Sequence, residues 1–174
     1  MVMAAVPGNR YKLVKLLSET PQIQTWQGLN TATQRECVIK TAAEAADIDS
    51  INAILSSSFK CQRGLRSWEI VTCREKHREQ GRVFVEYPLL TAPEWQTLSP
   101  RSFWTDYPRS LIRISSIVDL LHSFDLVHGD LKIENFLVRS VGERTEYALV
   151  DLDFLCPDNS EPGSRVFGTP DHIA

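Results

Sequence analysis

This chain has no segment suited to crossing a membrane, no cysteine framework and no excess of basic charge. None of its apolar runs approaches the ~18 residues that a spanning helix requires. Met1 to Gly8 is apolar, but it is short and lacks the basic start and full hydrophobic core of a signal peptide. The four cysteines (Cys37, Cys61, Cys73 and Cys156) are scattered, with no CxxC pair. Cys73 and His77 could share a helix face, but no further ligands stand near them, so reduced thiols are expected rather than disulfides or a metal site. A net charge of -3 argues against a dedicated nucleic-acid binder. No internal repeat or low-complexity tract is visible. What remains is the composition of an ordinary globular protein, expected to be cytoplasmic, with 174 residues for one domain or a two-lobed part of one.

The pattern of elements is mixed. Tyr11 to Leu17, Gln24 to Trp26 and Glu36 to Lys40 read as strands, with polar turn material at Asn30 to Arg35. Asp47 to Leu65 is helix-compatible: Asp47 or Asp49 would cap it, and Ile51, Ile54 and Leu55 share a face. Trp68 to Arg74 and Arg82 to Tyr87 predict a hairpin around the charged turn Glu75 to Gly81. Pro88, Pro93, Pro100 and Pro108 punctuate the middle, where a hinge and a short helix are expected. Arg109 to Phe124 carries a broad apolar face at helical period, and Val138 to Val150 predicts a small hairpin with Gly142-Glu143-Arg144 at its tip.

Between that helix and that hairpin lies Val127-His128-Gly129-Asp130-Leu131-Lys132-Ile133-Glu134-Asn135. A carboxylate followed two residues on by an amine and five on by a carboxamide suits phosphoryl transfer. Asp130 would orient the attacking hydroxyl, Lys132 would neutralise the moving group and Asn135 would hold magnesium. His128 reads as a residue packing and hydrogen-bonding beneath the loop rather than a proton shuttle.

These residues resemble the catalytic loop of the protein kinase superfamily, H-R-D-L-x-x-x-N. Asp151, in Val150-Asp151-Leu152-Asp153-Phe154, resembles the D-F-G magnesium site. Phe167-Gly168-Thr169-Pro170-Asp171-His172-Ile173-Ala174 resembles the end of a kinase activation segment, cut before its last Pro-Glu. The resemblance implies an α+β, two-lobed fold, with a β-rich small lobe over residues 1–88 and a partial, helical large lobe over 89–174. It implies ATP and Mg2+ as cofactors and a protein Ser or Thr hydroxyl as acceptor. The implied catalytic residues are Asp130 and Lys132, and the implied metal ligands are Asn135 and Asp151. Lys40, at the end of a β-branched run like the lysine of V-A-I-K, would bind the nucleotide together with Leu17, Thr25, Val38, Glu86 and Tyr87. Ser160, Ser164 and Thr169 would be modification candidates. Neither nucleic acid nor a membrane is an expected partner; regulatory domains elsewhere in a full gene product are compatible with this reading.

The departures from the family pattern are specific. Ser18, Thr20 and Ile23 occupy the positions of the three loop glycines, so the backbone would approach phosphates less closely. Leu55 to Lys60 holds no acid to pair with Lys40, and Asp47, Asp49 and Glu69 fall at awkward offsets. Gly129 stands where kinases carry the arginine that meets a phosphorylated activation loop, which suggests independence from that switch. Two alternatives follow. One is a pseudokinase, or scaffold module, with weak or no nucleotide binding. The other is a small-molecule phosphotransferase of the aminoglycoside or choline kinase kind, to which Gly129 and Asp153 point and against which Lys132 and the Phe167–Ala174 segment stand.

Overall fold

The computed structural model describes residues 10–90 and 94–158. The expected activation-segment end, Phe167 to Ala174, lies outside them, as do Pro93, Ser160, Ser164, Thr169 and the apolar start Met1 to Gly8. Two compact units form, one from residues 1–63 with 72–89 and the other from residues 64–71 with 90–174. The architecture is α+β.

The first unit is a five-stranded antiparallel sheet with one helix. Its strands are β1 (Tyr11–Glu19), β2 (Ile23–Asn30), β3 (Arg35–Ala42), β4 (Glu75–Glu79) and β5 (Arg82–Pro88), in the order β1-β2-β3-β5-β4. Residues opposite one another in an antiparallel pair share a face, and faces alternate along a strand. The register sets Thr25, Lys40 and Val85 in one row and Gln27, Val38 and Tyr87 in the next on the same face. Helix α1 (Ile48–Gln62) covers this face, and Ile51 and Leu55 bury themselves among Ile23, Ala42, Val83 and Val85. Asp47 caps the helix: its carboxylate accepts from the Ser50 amide at 3.4 Å and the Ser50 hydroxyl at 2.7 Å. Asn52 ties α1 to the β4–β5 turn, donating to the Gly81 carbonyl and accepting from Val83 N, each at 2.7 Å.

The opposite face packs Tyr11, Cys37 and Ile39 against Leu13, Trp26 and Phe84. It also holds a buried carboxylate. Glu86, opposite Ile39, accepts from Asn30 Nδ2 at 2.6 Å, while Asn30 Oδ1 accepts from the amides of Ala32 and Thr33 and so shapes the β2–β3 turn.

The expected hairpin arm Trp68 to Arg74 does not form. The real hairpin pairs Glu79 with Arg82 across Gln80-Gly81, both at positive φ (48° and 79°), a two-residue turn that joins β4, which begins at Glu75, to β5. The preceding residues serve the second unit instead. Ile70, nearly fully buried, bridges Leu149 in parallel, with Val71 N donating to Leu149 O at 2.8 Å and Leu149 N to Glu69 O at 2.7 Å. Residues 64–71 thus belong to the second unit although they precede β4 and β5 in the chain.

The second unit contains β6 (Gln96–Thr97), α2 (Pro100–Thr105), α3 (Tyr107–His122), β7 (Leu126–Val127), β8 (Phe136–Val141), β9 (Arg144–Leu149) and β10 (Cys156–Pro157). Strands β6, β8 and β9 form one sheet, and β7 and β10 form a separate antiparallel pair. Ile117 and Leu121 of α3 are fully buried, and Ser110 meets the Tyr147 hydroxyl at 3.0 Å, which docks α3 on β9. Among the described residues, no helix is long and apolar enough to cross a membrane.

The buried face of the first unit makes its stability sensitive to alkali. Burial, and then the charge of Glu86, pushes the Cys37 thiol up to about 11 from an ordinary 9.0. Burial, followed by the same carboxylate, raises the Tyr11 phenol further. Both groups therefore lose protons later in the folded state than in the unfolded one. Their contribution is fully present below the ordinary thiol value and declines as pH rises through 9 towards 11. The thermal midpoint is expected to fall over that window, and Cys37→Ala should remove part of the fall. A midpoint that is flat from pH 8.5 to 10.5 would contradict this.

Candidate phosphotransfer site

The expected site residues divide between the two units. In the second unit, α3 ends at His122 and the chain reverses through Asp125, at φ 55°, into β7. The loop that follows is closed by its own side chains. His128 is buried. The Asp130 amide donates to its Nδ1 at 3.3 Å, so that nitrogen accepts and Nε2 carries the proton towards Val150 O, also 3.3 Å away. The loop geometry thereby selects one neutral tautomer, in the structural position the sequence suggested.

Asn135 sits in the short 3-10 turn Ile133–Asn135 and is buried. Its Nδ2 donates to the Asp130 main-chain oxygen at 2.8 Å, its amide donates to Lys132 O at 3.1 Å, and its carbonyl accepts from Val150 N at 2.8 Å. With Nδ2 committed to the loop, Oδ1 is the group left for a hard cation. Lys132 Nζ donates to Asp130 Oδ2 at 2.9 Å. The carboxylate is 9 % exposed and the ammonium 24 %, so the pair is screened less than a surface ion pair while both groups keep a path to solvent. Asp130, Lys132 and Asn135 thus form a single bonded unit.

Val150 joins that unit to the acidic segment. Strand β9 ends at Leu149, and Asp151 stands beyond it at φ 66°, at the corner where the chain leaves the sheet. Leu152 and Leu155 are buried, and Asp153 is also buried. Asp151 therefore occupies the bend after β9. The oxygens of Asn135 and Asp151 suit magnesium, which prefers few protein ligands and shares its shell with phosphates and water. Among the described residues, no cluster of three or more His, Cys, Asp and Glu gathers as a self-sufficient metal cage.

In the first unit, Thr25, Val38, Lys40 and Tyr87 share the α1 face. Leu17 lies at an irregularity of β1 and is exposed. Glu86 lies on the other face, bonded by Asn30, and its main-chain oxygen accepts from Arg74 N at 2.7 Å. Two of the acids considered as partners for Lys40 have other tasks: Asp47 caps α1, and Glu69 accepts from Arg113 at 2.7 Å within the second unit. Lys40 is 8 % exposed, and its Nζ stands 5.6 Å from the centre of the Tyr87 ring, a cation–π contact. The Tyr87 hydroxyl accepts from Gln62 Nε2 at 3.1 Å, and Gln62 also bonds Ser58 and the Cys73 amide. This polar chain of Ser58, Gln62 and Tyr87 escaped the sequence reading, which looked for an acid on α1. Its signal was polar residues at positions 58 and 62, one helical turn apart on a buried face.

The β1–β2 turn is closed internally. Thr20 N donates to Ile23 O at 2.9 Å, and the Thr20 hydroxyl accepts from Gln22 N at 3.3 Å and Ile23 N at 2.9 Å. Pro21 has no amide hydrogen. The main-chain donors of Thr20, Gln22 and Ile23 are therefore held inside the turn, and Ile23 is buried in the core.

His128→Ala would leave the Asp130 amide and the Val150 carbonyl without their imidazole partner. A loss of about 2–4 kcal/mol in urea unfolding is expected. A loss of under about 0.5 kcal/mol, the usual range for a surface substitution, would mean that the imidazole does not organise the loop.

The comparisons with known proteins follow this geometry. No protein-family model matches the chain. It is similar to a calcium/calmodulin-dependent protein kinase type 1 of Macrobrachium nipponense, 28 % identical over 123 residues, which covers 69 % of this chain and 36 % of the relative. The protein of the same name from Caenorhabditis briggsae is 28 % identical over 123 residues, covering 69 % of this chain and 35 % of the relative. A Dictyostelium discoideum protein named probable serine/threonine-protein kinase pXi is 26 % identical over 156 residues, covering 87 % of this chain and 22 % of the relative. In these matches the chain spans about a third of the length of the first two relatives and less of the third. Together with the loop residues Asp130, Lys132 and Asn135 and the acidic segment that follows them, these likenesses support membership of the protein kinase superfamily.

Proposed function

We propose that this chain carries the phosphoryl-transfer residues of a Ser/Thr protein kinase that uses ATP and Mg2+. The observation behind this reading is the bonded set of Asp130, Lys132 and Asn135, linked through Val150 to the segment bearing Asp151. Asp130, whose Oδ2 holds Lys132, would accept the proton of a Ser or Thr hydroxyl and aim its lone pair. Lys132, held by that carboxylate, would neutralise the charge that builds on the transferred group. Asn135 and Asp151 would hold magnesium, which supplies charge neutralisation at the phosphates. Lys40, Thr25, Val38, Tyr87 and Leu17 would meet the nucleotide; Glu86 would act there by supporting its strand. A protein acceptor agrees with the names of the relatives, which are protein kinases.

A second reading, a scaffold module with little or no nucleotide binding, draws support from the β1–β2 turn. Its amides are spent on Thr20 and on one another, so it offers none to a phosphate. The two readings separate on one measurement. Calorimetry with ATP, with and without magnesium, is made on this chain and on Asp151→Ala. The kinase reading expects binding that requires magnesium and is at least about tenfold weaker in the variant, equivalent to about 1.4 kcal/mol. No binding by the folded wild type would favour the scaffold.

A further inference from the structure

The bend after β9 lies closer to the catalytic loop than a side chain at position 129 would permit. Gly129 has φ +80°, and a Cβ built on it would stand 2.7 Å from the main-chain oxygen of Phe154 and 3.1 Å from the Phe154 Cβ. Real Cβ atoms essentially never come within 3.0 Å of another heavy atom, and here the obstacle is backbone rather than the tip of a flexible side chain. Gly142, at the β8–β9 turn of the same unit, makes a useful contrast. It too has positive φ, +60°, but nothing lies within 4 Å of its Cβ position. Residue 142 meets a demand of the turn alone. Residue 129 meets the same demand and leaves room for a neighbour.

That neighbour is the segment carrying Asp151 and Asp153. It is fixed on both sides of Phe154. Before it, Val150 is bonded to Asn135 and His128. After it, Leu155 N closes a turn on Leu152 O at 3.2 Å, Cys156 and Pro157 pair with Val127 and Leu126, and Asp158 N donates to Asp125 O at 2.9 Å. The segment crosses the catalytic loop at Gly129, between these two sets of bonds.

We propose that Gly129 is a positioning residue: the space at its α-carbon seats the Phe154 main chain and so holds the acid-bearing bend on the catalytic loop without a charged or phosphorylated group at position 129. The role of the acids rests on the phosphotransfer reading, whereas the seating itself is independent of it. The variant that tests this is Gly129→Asn. Asparagine tolerates positive φ better than most residues, so the main change is the added Cβ. Gly142→Asn is the matched control.

Two readouts are taken. Hydrogen exchange at the amides of Leu155 and Asp158 reports seating, with the Leu149 amide as the reference for folding. Calorimetry with magnesium and ATP reports the site. In Gly129→Asn, exchange at Leu155 and Asp158 is expected to rise at least about tenfold while Leu149 keeps its protection. Magnesium-dependent ATP affinity should weaken at least about tenfold. Gly142→Asn should move neither. Unchanged exchange at Leu155 and Asp158 in Gly129→Asn would overturn the proposal. If the wild type binds no nucleotide, the phosphotransfer reading fails, and the exchange comparison still decides the seating. Should Gly129→Asn lose protection at Leu149, Gly129→Ala against Gly142→Ala carries the same expectations.

Discussion

The clasp between residues 125–135 and 150–158 is the constraint on which the rest of the second unit depends. One strand pair, β7 with β10, and the bonds from Val150 to Asn135 and His128 hold Asp130 and Asp151 to the same backbone frame. Buried amides and carbonyls must be paired, so the frame cannot loosen at one bond without exposing another. Asp130 is therefore placed by its own main chain: its amide is held by His128 and its carbonyl by Asn135. Such preorganisation is what a reaction needs when orientation and charge stabilisation do most of the chemistry.

In the first unit, buried polar groups divide between structure and chemistry according to strand face. The Glu86 face spends its carboxylate on Asn30 and thereby on the β2–β3 turn. The α1 face keeps Lys40 beside Tyr87, and Gln62 positions that ring from the helix. The Lys40 ammonium stands 5.6 Å from the centre of that ring, a distance at which the ring face attracts a cation. The β1–β2 turn makes the opposite choice, since its donors are satisfied within it. A nucleotide bound here would depend more on cation and ammonium charge than on backbone amides.

The start of α1 and the β8–β9 hairpin were legible because local rules govern them: an aspartate cap, an apolar stripe, a glycine at a turn. The loop residues were legible because the spacing of Asp130, Lys132 and Asn135 carries chemical meaning. The placement of Trp68 to Arg74 was not, because a run that alternates like a strand does not name its partner, and the bonds it made were with Leu149, far along the chain. The tertiary pairing overrode the local pattern. Gly129 was read as a missing arginine; that it also makes room for Phe154 depends on a contact between segments 25 residues apart, which no spacing rule encodes. The polar chain ending at Tyr87 was not legible, because it required the fold to bring Gln62 and Tyr87 together.

The central claim is that Asp130 belongs to a working phosphotransfer loop rather than to a turn that merely resembles one. Its most direct test is single-turnover transfer from labelled ATP with magnesium to a generic Ser/Thr protein acceptor, comparing the wild type with Asp130→Asn. Asparagine retains the size of the side chain and a hydrogen bond to the hydroxyl, but it cannot take the proton. The account predicts transfer by the wild type and a rate at least about a hundredfold lower in the variant, the scale of lost general-base assistance. Equal rates in the two proteins, or no transfer by a wild type that binds magnesium and ATP, would contradict it.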